Sequence, residues 1–191
     1  MSSAVLSEAP AALHANAPGE EPLFEIVNGQ RVELPPMSAY AGLIASRLHT
    51  RLSVHVEDHA LGTAVSEVLF ILDRERDLRR RPDVAFVSAD RWPLTREVPE
   101  VGDWAVVPDL AVEVVSPSDE FSDVLGKVRE YFRCGVRQVW VVVPEEEQVY
   151  VYESARHVQI VTLGELLQAE SLLPGLAIPL ARLFGRAPQP T

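Results

Sequence analysis

Residues 108–118 read PDLAVEVVSPS, an apolar strand that carries a glutamate in its interior and ends at Ser-Pro. Successive side chains of a strand point to opposite faces. Asp109, Ala111, Glu113 and Val115 therefore share one face, and Leu110, Val112 and Val114 share the other. An unpaired charge inside an apolar layer is very costly. Glu113 must therefore meet an arginine, a bound cation, or water at a sheet edge, and the residues leave these readings open. RPDVAFVS, residues 81–88, repeats the pattern, with Asp83, Ala85 and Val87 on one face and Val84 and Phe86 on the other. In both strands the acids lie on the side of an alanine. Small neighbours leave the room above the carboxylates that a metal ion and its waters would need.

The segment that follows, DEFSDVLGKVREYFRCG (119–135), has a helical stripe of Phe121, Val124, Leu125, Val128, Tyr131 and Phe132. Ser118 is an expected N-cap, Asp119 and Glu120 suit the positive end of a helix, and Gly135 supplies a stop. Lys127 is the only lysine among 17 basic residues; the other 16 are arginine. At about 100° per residue, Lys127 falls just off one edge of the stripe and Arg129 just off the other. Position alone does not separate the two. Residue type does: lysine is a compact donor whose pKa moves readily, whereas arginine stays charged. A site that must orient or deprotonate a water can use the first. The competing reading is composition drift that left one lysine by chance.

The rest of the chain sets these pieces in a mixed fold. LFEIVNGQRVEL (23–34) is a hairpin around Asn28-Gly29. SAYAGLIASRLHTRL is a helix, GTAVSEVLFIL a strand of about ten residues, and DRERDLRR a polar turn. RQVWVVVP and QVYVYES are further strands, LGELLQA a short helix, and LPGLAIPLARLF closes the domain. Residues 1–21 are expected to be a disordered leader, 22–185 one domain, and 186–191 a tail. The fold class is α/β (α+β), with a mixed sheet, flanking helices and an N-terminal hairpin.

The bulk composition excludes several functions. No apolar run approaches the roughly 18 residues of a membrane span. One cysteine, Cys134, excludes an internal disulfide framework and fits a reducing cytoplasm. A net charge of −11 argues against a non-specific grip on nucleic acid, whose affinity comes largely from neutralising phosphates. A local patch can act against that trend: Arg74–Arg81 holds five arginines and two acids. Arg79, Arg80 and Arg81, just before Asp83, could grip a phosphate backbone, or could form a solvated hairpin tip.

RRPDVAFV, PDLAVEVVSPSDEFSDVLGKVREYFRCGVRQVWVVVPEEEQVYVYE and LLPGLAIPLARLF together resemble the Uma2 family of restriction-endonuclease-like, PD-(D/E)xK proteins. The likeness runs from about Phe24 to Phe184. It implies a metal-dependent nuclease that hydrolyses phosphodiester bonds in DNA. By this resemblance Asp83 is the motif aspartate and Glu113 the acid of (D/E)xK. Val115 stands where the motif lysine is usual, and Lys127 takes its place from the following helix. Mg²⁺ or Mn²⁺ would be held by Asp83, Glu113 and the Val114 carbonyl, with Glu67 and Asp109 as possible further ligands. A homodimer is expected by analogy with enzymes that cut both strands. The first helix of such proteins often begins with a Glu-His pair; here Ala39 and Tyr40 stand there. The alternative reading is a catalytically inactive module that binds nucleic acid or a protein partner.

Other signals point to packing. Trp92 and Trp104 are expected to anchor the irregular segment 90–107 and Trp140 to lie in the core. His55 and His59 are expected in a loop without further ligands, and Glu145–Glu147 in a solvated turn.

Overall fold

The computed structural model describes residues 22–117 and 119–186. The leader, most of the tail and Ser118 lie outside the described residues. Among the described residues, no helix is long and apolar enough to cross a membrane.

The N-terminal hairpin forms as its turn chemistry requires. β1 (Phe24–Val27) pairs antiparallel with β2 (Gln30–Glu33), and Asn28 and Gly29 both have positive φ, at 52° and 76°. Two such residues make the tight turn whose twist matches a hairpin. α1 (Ala39–Asp58) starts at Ser38, whose hydroxyl accepts from the Ala41 N–H. It runs past His55 to a cap at His59, so the histidine pair closes a helix. Its inward residues Ile44, Leu48, Leu52 and Val56 recur at helical spacing and are buried.

The expected ten-residue strand is two strands. β3 (Gly62–Ser66) stops at Glu67, whose φ of 54° breaks the extended chain. β4 (Phe70–Asp73) then pairs in another sheet with β5 (Leu78–Arg80). β5 lies in what reads as a polar turn; only 74–77 turns, and Leu78 and Arg80 point inward on alternate positions. β6 (Val84–Ser88), β7 (Leu110–Val114), α2 (Phe121–Arg133), β8 (Gln138–Val143) and β9 (Gln148–Ser154) follow the sequence pattern. The cap of α2 is Glu120. β10 (His157–Val161) is an added edge strand. The expected helix in LGELLQA is instead β11 (Leu166–Ala169), paired with β12 (Leu173–Pro179), and α3 (Leu180–Leu183) ends the fold. A four-residue run cannot show a helical period, and pairing with β12 decides its form.

The central sheet has the order β10-β9-β8-β7-β6-β3. Only β7 and β8 are parallel there, joined by α2; the other pairs are antiparallel. A four-stranded sheet, β2-β1-β5-β4, lies beside it. Val84, Phe86, Leu110, Val112, Val114, Trp140 and Val142 face α1, α3 and the β11–β12 pair. Ala85, Val87, Ala111, Val139 and Val141 face Val128 and Tyr131 of α2, together with Trp92 and Trp104. The alternation of β6 and β7 thus sorts into two cores, and the acids lie on the α2 side. Trp104 stacks on Phe70 and meets Trp92 edge-on, each at 5.5 Å, which pins the irregular segment to the second core.

Candidate functional site

The β6–β7 register pairs Val84 with Val112. One step further along the ladder, Asp83 stands opposite Glu113. Like charges facing each other across a ladder repel. The protein answers with a buried network. Lys127 Nζ donates to Glu113 Oε2 at 2.9 Å, and the Tyr131 hydroxyl donates to Glu113 Oε1 at 2.6 Å. Asp83 Oδ2 accepts the Val114 N–H at 2.5 Å. In an extended strand the N–H and C=O of one residue face the same side. The Val114 carbonyl therefore also looks toward Asp83.

The N-terminal hairpin completes the site. Glu25 is 1% exposed. Its Oε2 accepts from Arg80 Nη1 at 2.6 Å, its Oε1 accepts the Arg81 N–H at 2.9 Å, and Lys127 Nζ lies 3.6 Å from that same oxygen. Arg80 Nε also donates to Glu130 Oε2 at 2.9 Å. An open cavity of about 680 Å³ borders the group. Its walls come from the hairpin, the end of β7 and the first half of α2.

These contacts set the protonation states. Burial pushes the Lys127 ammonium down, but Glu113 and Glu25 outweigh it and hold it above the ordinary lysine range. Lys127 is thus held as a cation in the metal-free protein. Burial pushes Glu113 up, against the opposing pull of Lys127 and Tyr131. Asp83 is pushed up to about 8, by burial first and by the Glu113 charge second. Arg80 loses ground to burial and regains more from Glu25 and Glu130, so it too stays charged.

Two sequence expectations change. Asp109 shares the face of Glu113 but lies at the far end of β7, where its carboxylate meets Arg91 Nε at 3.0 Å, Arg137 Nη1 at 3.5 Å and the Ser88 N–H at 2.8 Å. Period two fixes the face and not the distance along it; Asp109 is a strand-end ion pair and not a ligand beside Glu113. The Arg79–Arg81 run is not a free basic patch. Arg79 pairs with Asp77 and Asp103, Arg80 turns inward to Glu25 and Glu130, and Arg81 donates to the Phe24 and Glu67 carbonyls. Glu67 is exposed and within electrostatic reach of Asp83.

Sequence reasoning missed Glu25, Glu130 and the hydroxyl of Tyr131. Glu25 carried a faint signal, an acid inside a four-residue apolar strand. A hairpin does not reveal which face is buried until β5 docks, and that contact spans 55 residues.

A mixed sheet with a strand–helix–strand unit, and an acid-and-lysine cluster at the strand ends, define the restriction-endonuclease-like fold. In agreement, a crystal structure of a "putative nuclease belonging to DUF820" from Anabaena variabilis superposes with a TM-score of 0.73. That match is 21% identical and covers 88% of this chain and 93% of the other. The family model Uma2, described as "Putative restriction endonuclease", matches residues 11–181, and the chain belongs to that family. No curated protein matches it.

Proposed function

We propose that this protein hydrolyses phosphodiester bonds in DNA, with a divalent cation, Mg²⁺ or Mn²⁺, held by Asp83, Glu113 and the Val114 carbonyl. The observation that carries this reading is the Lys127–Glu113 pair, at 2.9 Å, with Asp83 opposite on the ladder. Charge supports the cation. Four carboxylates, Glu25, Asp83, Glu113 and Glu130, surround two cationic side chains, Lys127 and Arg80. With all six ionised the group is short of two positive charges. Among the described residues, no group of three or more His, Cys, Asp or Glu side chains is arranged to hold a metal by itself. Two carboxylates and a carbonyl nevertheless suit Mg²⁺, which keeps several waters and takes one or two carboxylates.

When bound, such a cation lowers the pKa of a water and stabilises charge developing on phosphorus. The chain's own groups supply the rest. Lys127 stays charged and can orient the attacking water or face the developing negative charge. Tyr131 fixes the free rotation of Glu113 by holding its second oxygen. Asp83 is anchored through the Val114 N–H and keeps its other oxygen for the cation. Cleavage of both strands of a duplex would take two copies, so we extend the reading to a homodimer, and the single free cysteine suits a cytoplasmic location.

Two observations favour the alternative, a non-catalytic module that binds nucleic acid or a protein partner. Both Glu113 oxygens already have donors, and the cavity rim carries Glu33, Asp119, Glu120 and Asp123, which would repel phosphates. A cleavage assay separates the two. Supercoiled plasmid and single-stranded DNA are incubated with Mg²⁺ or Mn²⁺ and wild type, Glu113→Gln or Asp83→Asn. Cleavage by wild type alone, abolished by a chelator, supports the hydrolase. A folded wild type that cuts no substrate supports the module.

A further inference from the structure

Lys127 has one short contact, to Glu113, and a flexible stem beside an open cavity. A lysine side chain gives up rotamer entropy when fixed. It also has another outlet: Asp123 lies four residues earlier on α2, exposed, in the favourable acid-before-lysine spacing. Something must hold the ammonium inward.

We propose that Glu25 is the positioning residue that does so, by presenting a rigid second carboxylate to Lys127 from the other sheet. Its carboxylate is itself immobilised, between a backbone N–H of Arg81 and the Arg80 guanidinium, at 2.9 and 2.6 Å. That leaves Oε1 aimed at Lys127, 3.6 Å away. Arg80 repels the ammonium, and Glu25 stands in contact with both cations. The N-terminal hairpin therefore reaches the reacting centre through one side chain, and its docking on β5 sets where the ammonium sits. The consequence for rate rests on the hydrolytic reading above; the positioning does not.

The single lysine makes the test direct, because lysine labelled with ¹³C at Cε reports Lys127 alone. In wild type the two Hε protons of a held side chain are expected to be resolved. In Glu25→Gln, which loses the charge and keeps one acceptor oxygen for either Arg80 or the Arg81 N–H, they are expected to merge as the side chain averages. Glu130→Gln takes the charge from the other partner of Arg80 without touching Lys127 and is expected to keep them resolved. An unchanged signal in Glu25→Gln overturns the proposal, as does equal averaging in both variants. If Glu25→Gln does not reach the native near-ultraviolet spectrum, Glu25→Asp is read instead: its carboxylate is drawn back by one carbon, partial averaging is expected, and a wild-type signal overturns the idea. In cleavage, Glu25→Gln is expected to lower kcat by about 10–100-fold, the range seen for partners that orient metal-site groups, with KM kept. Loss confined to KM also overturns it. A wild type that cuts nothing sinks the hydrolase, and the lysine signal still decides the positioning.

Discussion

Replacing Lys127 with methionine keeps the stem and removes the charge. Glu113, 8% exposed, would then face Asp83 and Glu25 with the Tyr131 hydroxyl as its remaining donor. Breaking a buried pair by removing one partner costs about 3–5 kcal/mol. Lys127 retains 21% side-chain exposure and Tyr131 stays in place, so the low end, about 3 kcal/mol, is expected near pH 8. For a domain of this size that lowers Tm by roughly 6–12 °C. The loss depends on pH. Glu113 has a folded pKa above its unfolded one, so the folded variant binds more protons across the window between them. Stability of the variant therefore falls as pH rises through that window, and the deficit shrinks toward its acid end, where Glu113 is protonated. Urea unfolding at pH 5.5 and 8 measures both. Arg129, at the mirror position on the helix and exposed, is the control; Arg129→Met is expected to change stability by less than about 0.5 kcal/mol. A Lys127→Met loss below about 1 kcal/mol at pH 8, or one of equal size at both pH values, would refute the reasoning.

Asp83, pushed up to about 8, binds a proton in the folded metal-free protein that the unfolded chain releases near pH 4, so stability falls as pH rises from 4 to 8; Asp83→Asn is expected to remove that slope in a thermal-melt series, together with any stabilisation by added Mg²⁺. Asp109→Asn removes the anion that Arg91 and Arg137 share at the far end of β7, though both keep backbone carbonyl partners, and is expected to cost about 1–3 kcal/mol in urea unfolding, while cleavage per folded molecule stays at the wild-type level. Trp104→Ala empties the second core, where Trp104 is 1% exposed, and is expected to cost about 3–5 kcal/mol by the same measurement. Gly62 has a φ of 152° and lies against the Val87 carbonyl, so Gly62→Ala is expected to cost at least about 1–3 kcal/mol, visible as a lowered Tm.

The parts of this fold that read from sequence are those with local periodicity or local turn chemistry. The Asn28-Gly29 hairpin, the stripe of α2 and the alternation of β6 and β7 each state their own geometry. Glu113 and Lys127 were found because each is chemically out of place, an acid inside an apolar strand and a lysine among arginines. What did not read were pairings fixed at a distance. β5 hides in an arginine-rich run because its inward residue is Arg80, whose partners Glu25 and Glu130 lie 55 and 50 residues away. β11 is too short to declare a period. Asp109 misled because alternation sorts faces and not positions along them. Glu25 is the clearest case: a hairpin glutamate looks solvated until the second sheet docks beneath it.

The claim that Asp83 and Glu113 hold one divalent cation beside Lys127 is tested most directly by titrating Mn²⁺ into the protein and reading free ion by electron paramagnetic resonance. One Mn²⁺ per chain is predicted for wild type, displaced by excess Mg²⁺ and lost in Asp83→Asn and Glu113→Gln, each folded by circular dichroism. Equal binding by wild type and both variants, or no binding by any, would contradict it.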